Sequence, residues 1–210
     1  MERRPRLLVT GFGPFPNAPE NPTQSLVVSL AAEPAQKFGA SELRAIVLPT
    51  DYRKSWPVLR RVYKSFDPDV VVHFGLSRNA VGLVVERLGR KRVDRGRLDA
   101  AGFAPSSGLC RRSGPDELAT TLPVDAIVKA VTDGGFAAAA SDDAGGYVCN
   151  ATLYRSLLAV KAGQRRLVGF IHVPPEGRNG WTAARLKQAA ELILQMATSA
   201  AAHTKQLANA

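Results

Sequence analysis

The run Val70-Val71-Val72-His73-Phe74-Gly75 is apolar at every position except the histidine. A strand with one wet face alternates apolar and polar residues; a continuous apolar run must be covered on both faces. Such a segment reads as a strand of a parallel sheet enclosed by helices. That requirement constrains the rest of the chain more than any other feature.

The flanking segments meet it. Arg6 to Thr10, Leu43 to Leu48, Leu83 to Arg87, Phe136 to Ser141 and Arg166 to Val173 read as further strands, the last carrying His172 near its end. Between them lie runs with helical spacing. Thr23 to Ala32 places Leu26, Val27 and Leu30 together, with Pro22 acceptable in the first turn. A helix with Ser55 as N-cap accommodates Pro57 and puts Val58, Val62 and Phe66 on one face, and Asp67-Pro68 ends it. Pro123 to Asp133 is amphipathic and is closed by Gly134-Gly135. A helix after Cys149 carries Leu153, Leu157 and Val160 and is expected to stop at Gly163. Thr182 to about Ala202 forms a long final helix with Leu186, Ala190, Ile193 and Ala197 facing inward. Alternation of this kind predicts an α/β fold: a three-layer α/β/α sandwich around a mostly parallel twisted sheet. With 210 residues and 45% hydrophobic content, one hydrolytic domain over 1–210 can bury its own core. The pattern is lost only across 89–115, a basic, glycine- and serine-rich loop region.

Charge is the bulk feature that invites a different class of function. The balance is +10, and Arg87, Arg90, Lys91, Arg92, Arg95 and Arg97 fall in one short segment. Clustered cations neutralise phosphates, but this segment has no aromatic residue on which a base could stack. A solvated or oligomer-facing surface is the expectation, and nucleic acid is not an expected partner. The N-terminal apolar stretch Leu7 to Val9 is too short for a signal core or a membrane span, so the chain is expected to be cytoplasmic. The loop from Gly11 to Pro22 offers Gly11 and Gly13 but has Pro16 where a dinucleotide fingerprint needs its third glycine. No helix follows directly, so the loop reads as a stiff apolar wall.

Gly145-Gly146-Tyr147-Val148-Cys149-Asn150 is a glycine-cushioned turn that delivers Cys149 to the start of a helix. Most lone cysteines are small buried hydrophobes. At a helix N-terminus, however, unpaired N–H groups and the macrodipole favour the thiolate, the nucleophilic form. A thiolate also needs an imidazole held in one orientation by a third group. Among three histidines, His203 lies near the chain end, His73 sits inside a buried strand where a hydrogen-bonded core role is expected, and His172 ends a strand. A right-handed crossover from the Cys149 helix would bring His172 to the same sheet edge. Cys110 and Cys149 form no disulfide framework, and without a histidine cluster they make no zinc site; no metal and no cofactor are expected.

Taken together, Leu8-Val9-Thr10-Gly11-Phe12-Gly13-Pro14-Phe15 with Asn21-Pro22, Glu86-Arg87, Tyr147-Val148-Cys149-Asn150 and Gly169-Phe170-Ile171-His172-Val173-Pro174 resemble the pyroglutamyl peptidase I family of cysteine exopeptidases. The resemblance implies a catalytic set of Cys149, His172 and Glu86, with Glu86 orienting the imidazole, and a pocket lined by Phe12, Phe15, Tyr147 and Val148. It implies a homotetramer acting on peptides blocked by an N-terminal pyroglutamate. That group is a flat, neutral lactam, suited to an apolar pocket with one or two amide hydrogen bonds. The family usually has Gln-Ala-Gly-Gly-Arg after the central strand, with the glutamine beside the substrate; here Leu76-Ser77-Arg78-Asn79 stand there. The basic run replaces the family's segment downstream of Glu86, so its arginine has no assigned counterpart in Arg95 or Arg97. Two alternatives stay open: a cysteine amidohydrolase of the same scaffold with another small acyl or lactam substrate, and a basic binding protein without activity.

Overall fold

A computed structural model describes residues 3–16, 18–160 and 166–209, with the side chains of 205–209 outside the description. Six strands form the main sheet: β1 (Arg6–Phe12), β2 (Glu42–Leu48), β3 (Val70–Leu76), β4 (Leu83–Glu86), β7 (Ala138–Ser141) and β8 (Leu167–Val173). Their spatial order is β2-β1-β3-β8-β4-β7. Two three-residue strands, β5 (Leu88–Arg90) and β6 (Glu117–Ala119), pair separately as an antiparallel ribbon.

The helices are α1 (Pro22–Ala31), α2 (Ser55–Phe66), α3 (Val124–Asp133), α4 (Val148–Leu158) and α5 (Ala183–Asn209). Alternate strand residues feed two cores, as the two-residue period of a strand demands. Leu7, Val9, Val70, Val72, Phe74, Ile171 and Val173 pack beneath α1, α3 and α5. Leu8, Phe12, Val71, Val168 and Phe170 point the other way, toward α2 and α4. The expected three-layer α/β/α architecture around a mostly parallel sheet is therefore present. Leu186, Ala190, Ile193 and Ala197 of α5 face inward as the spacing predicts. Among the described residues no helix is long and apolar enough to cross a membrane.

The sheet departs from the expected strand directions in one respect. β1, β2, β3 and β8 run parallel, but β4 pairs antiparallel with β8, and β7 follows β4. The reason is the connection: only residues 77–82 separate β3 from β4, too few for a parallel crossover of about a dozen residues. The β7–α4–β8 unit is consequently not a parallel crossover, and the right-handed rule is not what brings Cys149 and His172 together.

Smaller corrections concern α2 and α4. Lys54 occupies the N-cap position of α2, and Ser55 is its first helical residue. The capping role passes to Asp51, whose Oδ1 accepts from the Arg53 and Lys54 amides at 2.7 and 3.0 Å. The buried face of α2 centres on Leu59, Tyr63 and Phe66, with Val58 and Val62 at its margin. Asp67 closes the helix in the left-handed conformation, φ 43°. The expected stop of α4 at Gly163 lies outside the described residues.

His73 takes the structural role expected of it. Thr10 Oγ1 lies 2.7 Å from its Nδ1 and Ser156 Oγ 3.0 Å from its Nε2, and the side chain is fully buried. Burial pushes its pKa down to about 3. It is therefore neutral near pH 7 and committed to joining β1, β3 and α4.

Candidate active site

The short reversed strand β4 positions the acid. Glu86 lies opposite Phe170 of β8, and Val84 lies opposite His172. Glu86 and His172 are thus diagonal neighbours on one face of the sheet, close enough for a direct contact. His172 Nδ1–H donates to Glu86 Oε1 at 2.7 Å. Both groups are buried, Glu86 almost completely.

Glycine at position 75 positions the thiol. Gly75 pairs in register with His172, and a Cβ built on it would lie 3.1 Å from Cys149 Sγ and 2.5 Å from Phe170 Cζ. A side chain here would drive into the Phe170 ring and crowd the Cys149 sulfur, so glycine keeps both in place above β3, beside the histidine. With Nδ1 occupied by Glu86, Nε2 is the ring nitrogen left for Cys149, whose side chain acts on the titration of His172. Burial alone would push the imidazolium down, but the hydrogen bonds to Cys149 and Glu86 outweigh it, and the pKa is pushed up to about 9. The aromatic ring of Phe170, 4.8 Å from the His172 centroid, packs beneath it.

Cys149 is the second residue of α4, whose first amides have no carbonyl one turn earlier within the helix. Tyr147 is the N-cap and offers no side-chain bond to those amides. Gly145, at φ 74°, allows the chain to turn sharply into the helix. The result is a thiol beside backbone donors that the helix leaves without a partner of its own.

A cleft of about 650 Å³ opens over this group. Phe12, Phe15, Leu76 and Tyr147 line it together with Cys149, His172 and Glu86. Phe15 and Tyr147 form a tilted aromatic pair at 5.9 Å, and the Arg97 guanidinium lies 4.2 Å above the Tyr147 ring. Of the residues expected to form the site, Val148 alone is not brought to the cleft. Its side chain is fully buried in the core between α4 and the sheet, because the first helical position directs it inward while its neighbours on either side face the cleft.

The basic segment is solvated, as expected, and part of its charge is paired at the surface. Arg87 pairs with Asp125 at 2.7 Å, Arg90 with Glu117 at 2.8 Å and Asp143 at 3.2 Å, and Lys91 with Asp116 at 2.7 Å. The segment is fastened to the turn that carries Cys149: Asn150 Oδ1 accepts from the Arg90 amide, and Asn150 Nδ2 donates to the Arg90 and Arg92 carbonyls at 2.8 and 2.9 Å. The Asp94 amide donates to the Gly146 carbonyl, and Tyr147 Oη donates to the Leu98 carbonyl. Buried Asp99 accepts from the amides of Tyr52, Ala101 and Phe103 and closes the loop behind this. Asn150 and Asp99 are positioning residues that sequence spacing did not expose; a polar side chain directly after the cysteine was the one available signal. Cys110 is a buried free thiol whose pKa burial pushes up to about 11, and it lines no part of this cleft.

Comparison with known proteins places the chain in a family. The family described as pyroglutamyl peptidase matches residues 5–195. The chain belongs to the pyroglutamyl peptidase family. A pyrrolidone-carboxylate peptidase of Halalkalibacterium halodurans is 34% identical over 170 residues, covering 80% of this chain and 83% of that protein. One from Streptococcus pyogenes is 35% identical over 170 residues, with 80% and 77% covered. The solved pyrrolidone carboxyl peptidase of Thermococcus litoralis superposes with a TM-score of 0.85 at 27% identity, covering 93% of this chain and 94% of that one. Leu76, Ser77, Arg78 and Asn79 form one wall of the cleft.

Proposed function

We propose that this cysteine peptidase hydrolyses the amide bond after an N-terminal pyroglutamyl residue, with Cys149 as nucleophile, His172 as proton carrier and Glu86 as the group that orients it. The observation that carries the reading is the line Cys149–His172–Glu86 at the floor of a cleft walled by Phe12, Phe15 and Tyr147. A neutral lactam gains from aromatic walls and carries no charge that the site must pair.

In this reading the Cys149 sulfur attacks the pyroglutamyl carbonyl and forms a C–S bond. The oxygen, now negative, is held by backbone N–H groups at the start of α4. The C–N bond breaks as His172 Nε2 gives its proton to the departing amine. Water then attacks the thioester, passing a proton to His172, and pyroglutamate leaves with the thiol restored. Glu86 keeps the Nδ1–H in place throughout, so that Nε2 always faces the reacting atoms.

Leu76 offers no hydrogen bond to a lactam, and this favours a second reading, an amidohydrolase of another small acyl group. Ser77 and Asn79 line the same wall and supply hydroxyl and amide groups that Leu76 lacks, which supports retaining the lactam. A binding protein held by the basic segment has less support, since Arg87, Arg90 and Lys91 each pair with a neighbouring acid and leave Arg92, Arg95 and Arg97 as the segment's cations without an ion pair among the described residues. Release of a chromophore from a pyroglutamyl amide, abolished by prior alkylation, is the expected result. Turnover of acetyl- or prolyl-amides in its place would establish the second reading.

A further inference from the structure

The cleft over Cys149 is lined by three arginines from three separate segments: Arg78 after β3, Arg97 in the basic segment and Arg178 after β8. Among the described residues none of the three has a carboxylate within ion-pair distance, in contrast to Arg87, Arg90 and Lys91. The two acids that line the cleft are already engaged, Glu86 by His172 at 2.7 Å and Asp143 by Arg90 at 3.2 Å. The cleft is therefore cationic, although the acyl group proposed to enter it is neutral. A cleft lined by exposed groups of one sign focuses a positive potential, which draws an anionic ligand.

Within the reading of the chain as a pyroglutamyl hydrolase, on which this inference rests, the only part of a substrate that can carry that charge is the part that leaves. We infer that Arg78 and Arg178 select substrates whose leaving portion bears a carboxylate close to the scissile bond: pyroglutamyl dipeptides with a free C-terminus, or peptides with an acidic second residue. Arg97 is held over Tyr147 and adds to the field from the acyl side. The planar guanidinium fork matches a carboxylate with two parallel hydrogen bonds, which gives direction as well as charge. A neutral or lysine-bearing leaving group gains nothing from either arginine.

The test compares kcat/KM for pyroglutamyl-glutamate, pyroglutamyl-alanine amide and pyroglutamyl-lysine amide in the native protein and in the double variant Arg78→Gln, Arg178→Gln. The native protein is expected to favour the glutamate substrate over the alanine amide by about tenfold at low salt, a preference that shrinks at about 1 M salt, where the Debye length is about 3 Å. In the double variant the ratio falls toward unity. A second readout does not depend on the acyl group: the rate of Cys149 carboxymethylation by iodoacetate relative to neutral iodoacetamide, followed by peptide mass. That ratio is expected to fall several-fold in the double variant and to do so whether or not a pyroglutamyl substrate turns over. An alkylation ratio equal in both proteins, or a native protein indifferent to leaving-group charge at low salt, would overturn the inference.

Discussion

Replacing Cys149 with alanine is expected to lower kcat/KM on a pyroglutamyl amide by on the order of 10⁵-fold while leaving the fold in place. Removing the nucleophile of a hydrolytic set removes the only route through a covalent intermediate, and comparable deletions cost roughly 10⁴ to 10⁶. The stability effect is of a different size. Cys149 is buried against Gly75 and Phe170, and deleting one sulfur there costs about 1 kcal/mol, as for ordinary small truncations. A melting temperature within a few degrees of the native protein, together with the loss of turnover, separates chemistry from folding. Substantial residual activity in a folded Cys149→Ala protein would assign the chemistry to another group.

The second large effect is expected at Glu86. Its Oε1 accepts from His172 Nδ1 inside the protein, and together with Cys149 it holds the imidazole proton to about pH 9 against the opposing effect of burial. In Glu86→Gln the neutral amide keeps the shape and loses the charge, so kcat/KM is expected to fall by about 10² to 10⁴. The pH profile carries the sharper signature. A group whose pKa is raised keeps its proton below the raised value, so the native protein retains imidazolium through neutral pH and loses it as pH passes about 9. Removing one of the two upward influences moves that descending limb to lower pH. Stability follows the same sign: the contribution of the charged pair is complete below the ordinary histidine value of 6.5 and is lost as pH rises through about 9. A descending limb that stays near pH 9 in Glu86→Gln would show that Glu86 does not hold the proton.

How far these features could be read from the chain varies with the kind of information each requires. Strand existence was legible, since continuous runs such as Val70 to Phe74 have no other comfortable environment. Strand direction was not: a four-residue run such as Leu83–Glu86 carries no polarity, and only the short 77–82 connection forces β4 to run against β8. The β5–β6 ribbon was hidden because three residues, Leu88-Gly89-Arg90, show no period of any kind. Cys149 stood out through its place after a glycine turn at a helix start and His172 through its place at a strand end, whereas Glu86 entered only through the family resemblance. Val148, which the resemblance implied as a wall residue, is buried instead, because a motif shared in sequence does not say which way the first helical side chain points. Arg97 looked like part of a solvated charge run, and its place over Tyr147 depends on the 94–103 loop closing around Asp99, a tertiary arrangement with no local signal.

The pairing of mechanism with acyl group is tested most directly by trapping the intermediate. The protein, mixed with a pyroglutamyl amide and quenched in acid within the first turnovers, is digested and weighed peptide by peptide. The expected result is a mass increase equal to one pyroglutamyl group on the peptide carrying Cys149, removable by hydroxylamine and absent in Cys149→Ala. Turnover of the same substrate with no acyl group on Cys149 under any quench time, or with the group on Cys110, would contradict it.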